Sequence, residues 1–187
     1  MNIFFLHLDP KKSARFYYNK HCIKIILEIA QLLYCAHWIT NDGNDAWLAQ
    51  HSFEMNLLPY KKTHVNHPMS KWVRQSYNNY MYACQLGLEL CYEYSRRYGN
   101  KIHKTQARLE WLICNAPLNF IPDEIQGFLA TSSIPAGCTP IPLTMPAEYH
   151  TDDAVQSYRQ YYIKAKQSIA QSAEAYEQLV SEWNNIK

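Results

Sequence analysis

The chain has 187 residues, 48% of them apolar with only 5 glycines, and a formal net charge of +2. That size and composition suit one globular domain with a real core and exclude a disordered, collagen-like or disulfide-stapled chain. The charge is uneven: residues 1–108 carry 14 Lys/Arg against 7 Asp/Glu, and 109–187 carry 4 against 9, which predicts a basic face suited to phosphate.

The opening MNIFFLHLDPKK holds an apolar run that Pro10 and two lysines cut off, too short for a signal-peptide core. No later stretch reads as the ~18 apolar residues of a membrane span. A cytoplasmic monomer with no membrane partner is therefore expected. Asn2 to Leu6 predicts a short strand or extended segment. Asp9-Pro10 then supplies an N-cap and a first helical residue. Ile23, Ile26, Leu27, Ala30 and Leu33 recur at helical spacing, so one long helix is predicted to about Trp38, stopped by Asn41-Asp42-Gly43. Residues 41–66 read as a polar loop dotted with aromatics. A second long helix is predicted from Met69 to Tyr98, closed by Gly99, and a third from about Thr105 to Cys114. Pro117, Pro122, Pro135, Pro140, Pro142 and Pro146 then forbid a regular element and predict a segment that wraps the surface or lines a cleft. Asp152-Asp153 caps a fourth helix expected to reach Trp183. The fold expected is mainly α: a single-domain bundle of about four long helices, with an extended N-terminal segment and a Pro-rich irregular segment. The six cysteines never form C-x-x-C and are predicted to be buried thiols.

Two helical faces carry polar groups. On the first helix Lys20, His21, Lys24, Glu28 and Gln31 fall within an arc of roughly 100°. Either this is a solvated face with a Lys24–Glu28 pair, or it is a functional stripe, a reading that Tyr17 and Cys35 on the same arc favour. On the second, Trp72, Gln75, Asn79, Leu86, Leu90, Glu93 and Arg97 share a face of about 60°. Polar groups among core residues there predict a buried Glu93–Arg97 pair or the border of a polar cavity. His67, just ahead of Pro68, stands where helix N–H groups can receive an anion. H-E-x-x-H, EF-hand and zinc-deaminase patterns are all missing, and His64-x-x-His67 is too little for a metal site. Neither phosphate-loop pattern occurs, nor does a G-x-S-x-G elbow. What remains is carboxylate, His, Lys and amide chemistry with no metal or cofactor. The 15 tyrosines often adjoin cations, as in Tyr60-Lys61-Lys62, Tyr94-Ser95-Arg96-Arg97-Tyr98 and Tyr158-Arg159-Gln160-Tyr161-Tyr162, a pairing able to stack bases and hold phosphates or simply to pack a core.

Several blocks together resemble a family found in bacteriophages, large DNA viruses and some bacteria. They are Asn2-Ile3-Phe4-Phe5-Leu6 with Asp9-Pro10; Lys20-His21-x-x-Lys24-x-x-x-Glu28-x-x-Gln31; Asn66-His67-Pro68-x-x-x-Trp72-x-x-x-Ser76-x-x-Asn79-Tyr80; Glu93-Tyr94-x-x-Arg97-Tyr98-Gly99 with His103-Lys104; Met145-Pro146-x-Glu148-Tyr149; and Tyr158-Arg159-x-Tyr161-Tyr162. The family is linked to hypermodified DNA. It includes amino-acid:DNA transferases of thymine hypermodification and an anti-phage DNA glycosylase acting on glucosylated hydroxymethylcytosine. The resemblance implies double-stranded DNA with modified bases as the partner. It makes a glycosylase that flips out a modified pyrimidine the leading expectation, an amine:DNA transferase the alternative, and a non-catalytic module for modified DNA the third. Glu28, with His21 and Lys24, is the expected catalytic group, and Glu93 the other candidate carboxylate. Lys20, Gln31, His67, Trp72, Ser76, Asn79, Glu93, Arg97, His103, Lys104, Tyr158 and Arg159 are expected to contact DNA or substrate. The position before Lys20 is Asn19 where the family pattern carries Asp, so the chain departs from the pattern at that acid.

Overall fold

The computed structural model describes residues 2–41 and 44–169, together with 177, 180, 181 and 185. It is mainly helical, with 58% helix and 4% strand, as expected for the class. The helices are α1 (Pro10–Arg15), α2 (Asn19–Thr40), α3 (Ala46–Met55), α4 (Pro68–Gln75), α5 (Tyr77–Arg97), α6 (Gln106–Cys114) and α7 (Ala154–Ala165). A two-residue antiparallel pair, β1 (Leu129–Ala130) and β2 (Ile141–Pro142), sets Leu129 opposite Pro142 and Ala130 opposite Ile141.

The first predicted long helix is two. Asp9 caps α1, accepting from the Lys11 and Lys12 N–H groups at 2.7 and 3.2 Å. The chain then leaves the helix because Tyr17 and Tyr18 are drawn into the core, both fully buried. The Tyr17 hydroxyl accepts from Phe4 N–H (3.0 Å) and donates to Phe4 C=O (2.7 Å). Tyr18 turns extended, with ψ 151°, and its N–H donates to the Tyr162 hydroxyl at 2.9 Å. These bonds replace those an uninterrupted helix would have made, and they hold the N-terminal segment, whose Ile3, Phe4, Phe5 and Leu6 are buried without a sheet partner.

The second predicted long helix also breaks, at Ser76. That residue is extended (φ −151°, ψ 157°) and its Oγ caps α5 by accepting from Asn79 N–H at 3.2 Å. The common face drawn from Trp72 to Arg97 therefore does not run across the break. Within α5, Asn79, Leu86, Leu90 and Glu93 do share the buried side. Residues 41–66 are not all loop either, since α3 lies within them. Trp47 packs on Trp38 and His37 with ring centroids 4.9 and 5.1 Å apart, while His51 is fully buried. Asp42 and Gly43 lie outside the described residues. Asp153 caps α7 through Gln156 N–H at 2.7 Å, but the helix ends at Ala165 and a single 3-10 turn follows over Gln167–Ile169. The predicted end at Trp183 lies outside the described residues.

At the centre α2 runs antiparallel to α5: Cys22 meets the Leu90 carbonyl near one end and His37 meets Tyr80 near the other. Gly87 permits the approach, because a Cβ there would lie 3.1 Å from Ile29 of α2 and from Leu109 of α6. By length and composition α2 is apolar enough to cross a membrane, which corrects the sequence reading. Two thirds of that window (67%) is buried inside the protein, as in the core helix of a globular fold. All six cysteines are free: Cys22, Cys35, Cys84 and Cys91 are buried as expected, Cys138 is half-buried, and Cys114, at the end of α6, is exposed.

Candidate functional site

One side of α2 remains open. Lys20 and Lys24 are exposed along it, Glu28 and Gln31 are half-buried, and His21 is buried at its edge. The Glu28 side chain is only 12% exposed and lies 3.3 Å from the Lys24 ammonium, itself 69% exposed. Its other oxygen accepts the Asn2 N–H at 3.0 Å. Asn2 is fixed in turn, because the Thr144 hydroxyl donates to its Oδ1 at 2.5 Å and its amide donates to the Thr144 carbonyl at 3.3 Å. The Tyr158 hydroxyl stands 3.3 Å from Thr144 Oγ1 and donates to the Pro142 carbonyl at 2.7 Å. Glu28 is thus a largely buried carboxylate anchored to the N-terminal segment and paired with an exposed lysine of its own helix.

His21 lies on the same strip, two helical turns and ~10 Å from Glu28. Its ring stacks on Phe4 with centroids 5.2 Å apart and planes 15° from parallel, and its Nδ1 lies 2.9 Å from the Tyr162 hydroxyl. Burial lowers its pKa to about 4, helped by Lys166 and Lys24 and opposed by Glu28, so the imidazole is neutral near pH 7. His67 approaches from the start of α4. As the N-cap, its Nδ1 accepts from Met69 N–H at 3.2 Å, which leaves a donor on Nε2 of the neutral ring. Burial lowers its pKa, with His64 acting in the same direction and Glu28 weakly against it. Beside His67 opens a cleft of about 520 Å³ lined by Asn66, Pro68, Lys71 and Gln126. The Lys71 ammonium on its wall donates to the Glu124 carbonyl at 2.9 Å.

Other residues singled out in the sequence go inward. Asn79 is fully buried and spent: its amide donates to the Trp72 carbonyl (2.8 Å) and Thr139 Oγ1 (2.7 Å), and its oxygen accepts from Thr139 N–H (3.0 Å). Trp72, also fully buried, donates to the Thr139 carbonyl at 3.3 Å. Together they clamp the Pro-rich segment onto the α4–α5 break, where Ser76 serves as a cap. The Glu93–Arg97 pair predicted from spacing is present at 2.6 Å with side chains 6% and 11% exposed. Arg97 also donates to the carbonyls of Tyr17 (2.5 Å) and Arg15 (2.9 Å) and to Asn19 Oδ1 (3.0 Å). It therefore fastens α5 to the α1–α2 junction rather than reaching outward. Asn19, where the family pattern has Asp, is an acceptor in that junction. Tyr158 is in the core, and Arg159, 2% exposed, donates to the Leu6 carbonyl at 2.6 Å with its guanidinium over Phe16.

His103 and Lys104 sit elsewhere, between α5 and α6. The His103 ring meets Tyr94 edge-on at 5.2 Å and its Nδ1 accepts from Thr105 N–H, while Lys104 is exposed. The segment from Leu58 to Lys62 adjoins it: the Arg108 guanidinium covers the Tyr60 ring at 4.6 Å and donates to the Leu58 carbonyl, and Lys61, Lys62 and Lys101 are exposed beside these contacts. Asn2, Phe4 and Tyr162, which build the surroundings of Glu28 and His21, were given no site role in the sequence reading. Thr144 had no local signal at all.

Comparison of the chain with family models, with curated proteins and with solved structures finds no match.

Proposed function

We propose that the protein is a DNA glycosylase that takes a modified pyrimidine out of the helix and hydrolyses its N-glycosidic bond. One observation carries this reading: Glu28 is a largely buried carboxylate held in place by Asn2, with Lys24 at its mouth and a neutral His21 on the same open strip. The bond is shielded within the base stack, so the nucleotide flips out to reach the strip. As the C1′–N bond lengthens, its electron pair leaves with the base and positive charge grows on the sugar. Glu28 stabilises that charge and accepts a proton from the water that attacks C1′. The departing base takes hydrogen bonds from His21 and His67. Lys20 and Lys24 along α2 hold phosphates.

The test is incubation with phage DNA carrying hydroxymethylated or glucosylated cytosine and with unmodified DNA, scoring abasic sites and free base. Base release from modified DNA is expected, and Glu28→Gln should lower it by at least ~10²-fold while thermal stability stays near wild type. A fully active Glu28→Gln enzyme removes the assignment. Base transfer that depends on an added amine and an activated base indicates the transferase chemistry instead, and binding without any reaction indicates a recognition module.

A further inference from the structure

The open strip contains a titratable ring whose proton is placed by a residue outside it. Tyr162, on α7, is fully buried, and its hydroxyl has two polar neighbours among the described residues. The Tyr18 N–H donates to it at 2.9 Å, and His21 Nδ1 lies 2.9 Å away. A phenol has one proton to give and can accept twice. An N–H group cannot accept, so the Tyr162 proton has one place to go. If His21 carried its proton on Nδ1, two donors would point at the same oxygen and the phenolic proton would be buried with no acceptor, a penalty that native interiors avoid.

We infer that Tyr162 is a positioning residue that locks His21 as the Nε2–H tautomer, so that the ring offers the strip a hydrogen-bond donor and not a base. This rests on the proposed function for what the donor meets, though not for the tautomer itself. Three structural features support it. The same hydroxyl caps the N-terminus of α2, where Tyr18 provides no side-chain cap, so its position is fixed by the fold. Phe4 lies flat against the imidazole and edge-on to the Tyr162 ring, with centroids 5.2 and 4.9 Å away, which prevents the imidazole from swinging off the hydroxyl. Burial keeps the ring uncharged, and of the charges that face it Lys166 beyond α7 and Lys24 of α2 act in the same direction while Glu28 of α2 opposes them. A neutral donor is what a leaving base needs at an oxygen that gains electron density, and it avoids placing a second cation beside the positive sugar.

The experiment is long-range ¹H–¹⁵N correlation NMR of the histidine side chains at pH 7, with His21 identified by its loss in His21→Asn. The expected result is an Nδ1 shift of the unprotonated type and an Nε2 shift of the protonated type, turning to a mixture of tautomers in Tyr162→Phe, which keeps the stacked ring. A wild-type His21 protonated on Nδ1, or on both nitrogens, overturns the inference, and this arm holds even where the Phe variant folds poorly. An unchanged spectrum in a folded Tyr162→Phe overturns it as well. Base release is scored separately on the same proteins: an Nε2–H tautomer without glycosylase activity removes the proposed function and leaves the Tyr162–His21 pair standing.

Discussion

Arg97 separates a phosphate-binding reading from a structural one, and the two differ in magnitude. In Arg97→Met the aliphatic stem is kept and the guanidinium is lost. Four contacts disappear with it: Glu93 at 2.6 Å, the carbonyls of Tyr17 and Arg15, and Asn19 Oδ1. Burial by itself would raise the pKa of Glu93; hydrogen bonds from Arg96 and Arg97 outweigh it and hold the carboxyl below its ordinary value. Without Arg97 that carboxylate, 6% exposed, would rely on Arg96, which is 70% exposed. Breaking a buried pair by removing one partner costs about 3–5 kcal/mol, and the two uncovered carbonyls place the variant toward the upper part of that range. Arg96→Met removes an exposed partner and should cost no more than ~1 kcal/mol. Urea unfolding followed by circular dichroism measures both, with an unchanged m-value required for the comparison. An Arg97→Met protein within ~1 kcal/mol of wild type, or equal to Arg96→Met, would refute the clamp and return Arg97 to the candidate phosphate contacts of the proposed function.

Acid should destabilise the fold before carboxylates titrate. His37 and His21 have pKa values lowered to about 3 and about 4 from 6.5, chiefly by burial, so the unfolded chain binds their protons first. Stability is full above pH 6.5 and falls with decreasing pH toward the two folded values, by ~1.4 kcal/mol per pH unit per histidine; unfolding midpoints equal at pH 7 and pH 5 would contradict this. Gly87→Ala, checked by thermal melting, should destabilise by ~1–3 kcal/mol, because overpacking against Ile29 and Leu109 outweighs the gain in helix propensity of roughly 1 kcal/mol; a raised melting temperature would show that these side chains yield. Affinity for duplex DNA should fall steeply with salt, and Lys24→Met should reduce the slope of log K against log salt by about one contact; a flat salt response in a fluorescence anisotropy titration would count against phosphate binding.

The helical class, the caps at Asp9 and Asp153, α6 and the irregular Pro-rich run were legible because each depends on local chemistry: a carboxylate before a helix, a regular apolar period, a ring that removes an N–H. The breaks at residues 16–18 and at Ser76 were not legible. Phe16-Tyr17-Tyr18 continue an acceptable apolar period, and what ends α1 there is a set of bonds to Phe4 and Tyr162, residues 13 and 144 positions away. Ser76 is a poor helix former but not a breaker, and only the cap it gives to Asn79 and the clamp on Thr139 make the interruption favourable. The α3 helix was hidden for a related reason: its fully buried residue is a histidine, and Trp47, Leu48 and Met55 around it are only half-buried, so the apolar period is short and weak.

For the site, spacing placed polar residues on faces but could not say which had hydrogen-bonding capacity left. Asn79 and Glu93–Arg97 looked as chemical as Glu28 and Lys24, since both sets combine charge, amide and core neighbours at helical intervals. The difference is set by where the rest of the chain goes. The Pro-rich segment brings Thr139 to Asn79 and uses its amide completely, and the turn between α1 and α2 brings two carbonyls and Asn19 to Arg97. Segment 2–6 instead reaches Glu28 with one backbone N–H, and α7 reaches His21 with one hydroxyl. A polar residue whose donors and acceptors are tied to several buried segments is a structural tie, whereas Glu28 and His21 lie on a strip that also carries the exposed Lys20 and Lys24. In the proposed reaction this favours Glu28 over Glu93, because Glu93 is 6% exposed and faces two guanidiniums at 2.6 Å, whereas the Lys24 paired with Glu28 is 69% exposed.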